Sequence, residues 1–196
     1  MSIISAIKGV FKKKSVVVFS RKSYAEIIPT LKINQTKLLE VMSLVEIFNN
    51  TRERYHVVSH MTGVPEDVLF ACHYRESSLS FKGVLHNGEK IIGTGLLTRL
   101  VPKGRGPFKT WEEAAIDAME IEKHKFPKEW NLIGKLEFCE AYNGLGYKKR
   151  GLPSPYVLSF TNAYTSGKYV ADGKFDPDFI DKQCGTAAII LGIGNA

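Results

Sequence analysis

The segment 73–78 reads His-Tyr-Arg-Glu-Ser-Ser and places a carboxylic acid where a charged group is costly. Leu69, Cys72 and Glu76 follow one another at spacings of three and then four residues, so the three side chains share one face of a helix. The apolar neighbours of this face predict that it packs toward the core. Burial raises the pKa of a carboxyl group. A carboxylic acid that stays protonated near neutral pH is the general acid that glycoside cleavage needs.

A structural role is the alternative for Glu76. A half-exposed glutamate at a helix end commonly forms an ion pair, here with Arg75, His73 or another cation. The helix itself is predicted from its start, because Pro65 suits a first helical turn and the acids that follow it complement the helix dipole.

Patterns elsewhere in the chain predict mostly helices. Thr110 and Glu113 form a capping box, Gly144 is suited to ending a helix, and Asn49-Asn50-Thr51 is expected to interrupt one. One helix is predicted at about 35–48 and another at about 132–142. Two more are predicted to begin at residues 110 and 176.

One predicted β-hairpin follows the Glu76 helix. Residues 83–86 and 89–92 would form its strands, and Asn87-Gly88 between them is a strong two-residue turn signal, since both positions accept positive φ. A second turn is expected at Asp172-Gly173, and the segment 103–107 is a basic, flexible loop. The expected fold class is mostly α (α+β), a helical domain with a small β-hairpin beside the catalytic helix.

The 196 residues suffice for one domain and an arm, and the composition is that of a globular protein. The first 33 residues carry seven lysine or arginine residues and one acid, whereas the rest carries 20 basic and 19 acidic residues. We therefore expect a basic arm at 1–33 and a domain at 34–196. The arm, with apolar residues on one helical face, would bind an anionic membrane or envelope surface, or would be a solvated tail. No specific nucleic-acid partner is expected.

The three cysteines are distant from one another and lie in apolar contexts, which favours reduced core residues rather than a zinc site. The N-terminus lacks the apolar stretch and cleavage site of a secretory signal, and no apolar run approaches the ~20 residues of a membrane span. Synthesis in a reducing cytoplasm without a signal peptide is the expectation.

The order of a helix ending in Glu76-Ser77, a hairpin, and a helix ending in Ala-Tyr-Asn-Gly at 141–144 resembles the lysozyme superfamily, including goose-type lysozymes and soluble lytic transglycosylases. Gly93 to Leu97 occupies the place of a Gly-Leu-Met-Gln-like segment, without the glutamine. More specifically, the stretch 73–185 resembles phage and bacterial cell-wall lysozyme-like proteins. The matching pieces lie at 75–77, 85–88, 101–105, 142–144, 154–156, 167–173 and 182–185.

The resemblance implies roles for several residues. Glu76 would be the general acid. Glu89 is the candidate second carboxylate. The alternative is a solvated acid, which is common just after a tight turn. A second catalytic carboxylate is not always needed, since lytic transglycosylases manage with one catalytic acid. Candidate substrate-binding residues are His73, His86, Thr94, Tyr142 and Asn143; for His73 a structural hydrogen bond is the alternative.

The implied activity is cleavage of the β-1,4 bond between N-acetylmuramic acid and N-acetylglucosamine in peptidoglycan, without a metal or organic cofactor. A phage endolysin or a virion-associated wall hydrolase, with virion proteins as possible partners, would reach the wall without ordinary secretion. Two alternatives are a chitinase-like hydrolase of the same superfamily and a non-catalytic phage structural or wall-binding protein.

Overall fold

A computed structural model describes residues 22–196 and has a mostly α fold with one small antiparallel sheet, as the sequence predicts. The helices are α1 Tyr24–Ile27, α2 Leu38–Thr62, α3 Glu66–Ser77, α4 Trp111–Glu122, α5 Leu132–Asn143, α6 Gly146–Lys149, α7 Pro155–Leu158 and α8 Thr186–Gly194. The strands are β1 Lys168–Ala171 and β2 Lys174–Asp176, and single 3₁₀ turns span Ile28–Thr30, Gln35–Lys37 and Lys123–Lys125.

Helix α2 is the centre of the packing, since it contacts α3, α4 and α8. The predicted interruption at Asn49-Asn50-Thr51 is wrong, because α2 runs through it. The two asparagines are exposed, and the Thr51 hydroxyl bonds within the helix to the carbonyl of Ile47 at 2.7 Å. Gly63 ends α2 with a φ of 75°, and Pro65 then starts α3 as expected.

The predicted starts and ends of α4 and α5 are confirmed. Thr110 and Glu113 form a reciprocal capping box at the start of α4, and Gly144 follows the end of α5. The prediction for the last helix is wrong at its start. Strand β2 occupies 174–176 and α8 begins only at Thr186, because the residues between them form a loop that carries the buried Asp181.

The prediction of two β-strands at 83–92 is wrong. The chain does reverse there, through bonds from Gly88 N to Val84 O at 2.9 Å and from Val84 N to Glu89 O at 3.0 Å, but it forms no strands. Three consecutive residues, 83–85, are buried rather than alternating, so the segment lacks the two faces of a strand. The sheet instead surrounds the turn at Asp172-Gly173.

The turn at Asn87-Gly88 lies directly on the end of α3. A side chain at position 88 would come within 2.4 Å of the Glu76 carbonyl oxygen, and Gly88 has a φ of 77°. Glycine is therefore required by both space and backbone conformation. This contact fixes the loop 83–92 against the residue that the sequence singles out.

The proposed boundary at residue 33 does not coincide with the edge of the folded unit. Tyr24 is buried, and Asn162 bonds through its side chain to the backbone of Lys32 and Thr30, each at 2.8 Å. The basic residues up to position 21, with the predicted amphipathic helix, lie outside the described residues. Within residues 22–196, no helix combines the length and apolarity needed to cross a membrane. All three cysteines are free and buried, as predicted.

A buried ion pair ties α3 to the loop before α8. Arg75 donates to the Asp181 carboxylate at 2.8 Å and to the carbonyl oxygens of Gln183 and Cys184 at 3.3 Å. The side chains of Arg75 and Asp181 are 5% and 1% exposed, and Lys168 on β1 adds a second cation to Asp181 at 2.8 Å. The pair therefore joins the helix, the sheet and the loop at one point.

We predict that Asp181→Asn destabilises the protein by about 3–5 kcal/mol, since it leaves Arg75 as an uncompensated buried charge. In a chain of this size that is a fall in melting temperature of about 6–20 °C. Asp178→Asn is the matched control, because Asp178 is exposed in the same loop and its change should stay within about 0.5 kcal/mol. Calorimetry of both variants checks this, and equal melting temperatures would contradict it.

Candidate active site

A pocket of about 210 Å³ lies where the C-terminal ends of α3, α4 and α5 meet. Glu76 is the second-last residue of α3, Glu122 is the last of α4, and Asn143 is the last of α5. The lining consists of Glu76, His86, Pro102, Ala118, Ile121, Glu122, Tyr142 and Asn143.

Glu76 lies in the pocket with a largely buried carboxyl group. Leu69 and Cys72, on the same face of α3, are fully buried, as the spacing predicts. The Tyr156 hydroxyl donates to Glu76 Oε1 at 2.9 Å. Burial raises the pKa of the carboxyl group; the Tyr156 bond and the charge of Arg75 oppose this and do not overcome it. Glu76 thus has the environment of a proton donor.

Tyr142 and Asn143 are brought to the same pocket. The Tyr142 hydroxyl donates to the Leu85 carbonyl at 2.6 Å, which links α5 to the loop 83–92, and burial raises the pKa of its phenol well above the usual value. Tyr142 therefore remains neutral and forms a wall of the pocket. Asn143 is exposed, so its amide is free to face a ligand.

His86 also lines the pocket and is part of a hydrogen-bonded network of polar side chains. Its Nε2 lies 2.8 Å from Asp117 Oδ2, and Asp117 is also held by the guanidinium of Arg105. Burial opposes the charged form of Asp117, but its bonds to Arg105 and His86 together lower its pKa. Burial lowers the pKa of His86. A neutral imidazole has one N–H and directs it toward a neighbouring carboxylate, so His86 carries its proton on Nε2.

His73 does not line the pocket, and its position favours the structural alternative. Its ring is fully buried, and its Nδ1 lies 2.8 Å from the Tyr55 hydroxyl. Phe81 and Trp111 pack on it with ring centroids 4.8 and 4.5 Å away. Burial lowers its pKa to about 4, so it is neutral. The structural alternative describes it.

Glu89 and Thr94 also lie outside the pocket lining. The Glu89 carboxylate accepts the backbone N–H groups of Arg99 and Leu100, each at 3.0 Å. Partial desolvation opposes its charge, but these bonds together lower its pKa. The Thr94 hydroxyl donates to the Ile91 carbonyl and accepts the N–H of Leu96. Both side chains bind their own loops, so the geometry favours structural roles for them.

Glu122 is the pocket residue that sequence reasoning missed. Its side chain is 22% exposed and forms an ion pair with Lys125. Among the described residues that line the pocket, Glu76 and Glu122 are the two with carboxyl groups. In the sequence Glu122 follows a regular helix and resembles an ordinary surface acid, so only the meeting of α3 and α4 reveals its position.

Comparison with protein-family models, curated proteins and solved structures finds no match. Within residues 22–196, no three histidine, cysteine or acidic side chains are grouped so that they could hold a metal ion.

We predict that Glu76→Gln makes the protein more stable than the native chain at neutral pH and above. The raised pKa of Glu76 means that its protonated form suits the folded state, so the native chain loses stability as pH rises from the unfolded pKa through the folded one. The variant lacks this loss. The difference in unfolding free energy should therefore vanish below about pH 4 and widen toward pH 8. Denaturant titrations at both pH values measure it; an unchanged difference would contradict the raised pKa.

Proposed function

We propose that the protein cleaves the β-1,4 glycosidic bond of peptidoglycan, with Glu76 as the general acid. The observation that carries the proposal is a carboxyl group in the pocket whose pKa is raised by burial and to which the Tyr156 hydroxyl donates a hydrogen bond. Glu76 would protonate the oxygen that leaves as the bond breaks. Such protonation is worth about 10²–10⁴ in rate.

Glu122 is the proposed second carboxylate, in place of Glu89. Glycosidases commonly use two carboxyl groups on the two sides of the scissile bond, one protonated and one charged. Burial raises the pKa of Glu76, which has no ion-pair partner among the described residues, whereas Glu122 pairs with Lys125. This difference suits Glu76 to donate a proton, and Glu122 to activate a water or to stabilise positive charge on the sugar.

The arrangement of the helices supports the same chemistry. The C-terminal end of a helix carries partial negative charge and attracts cations. Three such ends surround the pocket. They would stabilise the positive charge that develops on the sugar ring in an oxocarbenium-like transition state, and they also disfavour ionisation of Glu76.

The size and lining of the pocket suit a sugar ring. Its volume of about 210 Å³ is below the ~300–1,000 Å³ of sites for drug-sized ligands, so it would accommodate one ring, with the rest of the strand outside. The Asn143 amide and the pocket face of Tyr142 would contact that ring. His86 would complete the wall.

We predict that Glu76→Gln reduces cleavage of purified peptidoglycan by about 10²–10⁴-fold, because glutamine keeps the shape of the side chain but cannot donate the proton. Glu122→Gln should cost on the order of 10²-fold if the second carboxylate is required for turnover. Glu89→Gln is the matched control and should stay within a few-fold, since its carboxylate binds loop backbone.

Mass spectrometry of the released fragments measures these rates and also distinguishes a hydrolysed reducing end from a 1,6-anhydro end. A Glu76→Gln variant with more than about a tenth of native activity would refute the role of Glu76. Digestion of chitin oligomers in preference to peptidoglycan would favour the chitinase-like alternative. If the native protein cleaves neither polymer but sediments with the wall, the non-catalytic alternative holds.

We predict that Tyr156→Phe moves the alkaline limb of the pH–rate profile to higher pH. The Tyr156 hydroxyl donates to Glu76 and favours its charged form, so its removal raises the pKa of Glu76 further. The acid then stays protonated over a wider range. The profile of kcat/KM against pH tests this, and a shift of the limb to lower pH would show that Tyr156 does not stabilise the carboxylate.

A further inference from the structure

The loop at 93–110, which the proposed mechanism does not use, combines an ordered backbone with exposed aliphatic side chains. Leu96, Leu97, Leu100 and Val101 are 47, 45, 57 and 78% exposed. An apolar side chain exposed alone is ordinary, but four within six residues mark an interaction surface.

Hydrogen bonds hold this loop in place. Thr98 is buried and bonds through its backbone to Arg105 at 3.0 Å and Gly104 at 2.9 Å, while its hydroxyl donates to the Pro102 carbonyl. The Glu89 carboxylate binds two further N–H groups of the loop. The anchoring bonds use buried groups and backbone, so the aliphatic side chains are left outside by the structure itself.

The charge of the loop has one sign. Residues 93–110 contain four basic side chains and no acid. Arg105 is paired with Asp117, whereas Arg99, Lys103 and Lys109 are exposed. Helix α2 also exposes apolar residues, Leu39 and Met42 among them, but these alternate with acids at 40 and 46. The described surface therefore combines aliphatic and purely cationic character at this loop.

We propose that the loop 93–110 docks the protein on an anionic lipid bilayer. Aliphatic side chains partition into the region between headgroups and acyl chains, and lysine or arginine beside them binds anionic headgroups. A glycan is a poorer occupant, because sugar surfaces are matched by aromatic rings, amides and carboxylates, and the exposed tip offers none of these. Pro102 belongs both to the loop and to the pocket lining, so docking would hold the pocket close to the membrane. The proposal does not depend on the proposed reaction.

Sedimentation of the full chain with vesicles tests the proposal, using vesicles of equal phosphatidylglycerol and phosphatidylcholine and vesicles of phosphatidylcholine alone. The native chain should bind the anionic vesicles more tightly. Leu100→Ser with Val101→Ser should weaken this binding by about tenfold. Leu39→Ser with Met42→Ser, the control at comparably exposed positions of α2, should leave it within twofold.

A second pair of variants tests the charge. Arg99→Gln with Lys103→Gln should weaken binding by about 25-fold, from about fivefold per cation near an anionic surface. Lys148→Gln with Lys149→Gln removes the same net charge from exposed positions of α6 and should cost no more than about threefold. All four double variants change exposed side chains, and unchanged melting temperatures confirm that each is folded.

Three results would overturn the proposal. The first is that the native chain fails to bind anionic vesicles. The second is that the loop and control variants weaken binding equally, which would assign binding to net charge or to the basic N-terminal residues. The third is that the loop variants keep vesicle binding but lose affinity for chitin or wall oligomers, which would make the loop a glycan contact. None of these depends on whether Glu76 supports catalysis.

Discussion

The site depends on the separation of two adjacent and opposite charges. Arg75 and Glu76 are neighbours in the chain, and a direct ion pair between them would keep the glutamate charged. Instead the guanidinium of Arg75 is held by Asp181 and by two carbonyl groups, and it stacks 4.9 Å from the centre of the Tyr156 ring. Among the described residues, the hydrogen-bond partner of the Glu76 carboxyl group is the hydroxyl of that same tyrosine. The buried ion pair therefore stabilises the fold and also leaves the carboxyl group with a raised pKa.

The rest of the pocket follows from how helix ends are brought together. The long helix α2 aligns α3 and α4, and the loop 83–92 is fixed on the end of α3 by the contact of Gly88 with the Glu76 backbone. Tyr142 then joins α5 to the same loop. Each of these contacts uses backbone or buried polar groups, so the site has little freedom to rearrange without loss of stability.

Local signals predicted local structure well. The capping box at Thr110, the proline at the start of α3 and Gly144 at the end of α5 each act within one helical turn, and the structure agrees with them. The turn at Asn87-Gly88 was also predicted, but not the absence of strands around it, because burial of consecutive residues is decided by distant helices. The burial of the Glu76 side chain can be predicted because helical periodicity indicates which face of a helix is buried.

The remaining site residues depend on tertiary contacts that no local pattern encodes. Glu122 looks like a surface acid until α3 and α4 are placed together, and Glu89 looks like a second carboxylate until its bonds to Arg99 and Leu100 are seen. His73 lies one turn from Glu76 along α3, yet the aromatic cluster around Tyr55 removes it from the pocket. Tyr156 had no signal in the sequence beyond its place in a resembling motif.

The measurement that tests the central claim most directly is the titration of the Glu76 carboxyl group itself. Carbon-detected NMR of a chain labelled at glutamate follows the carboxyl resonances with pH, and the Glu76→Gln variant identifies the signal by its loss. We predict that this signal titrates above the ordinary glutamate pKa of 4.5, while the Glu89 signal titrates below it. A Glu76 signal that titrates at or below the ordinary value would contradict the assignment of Glu76 as the proton donor.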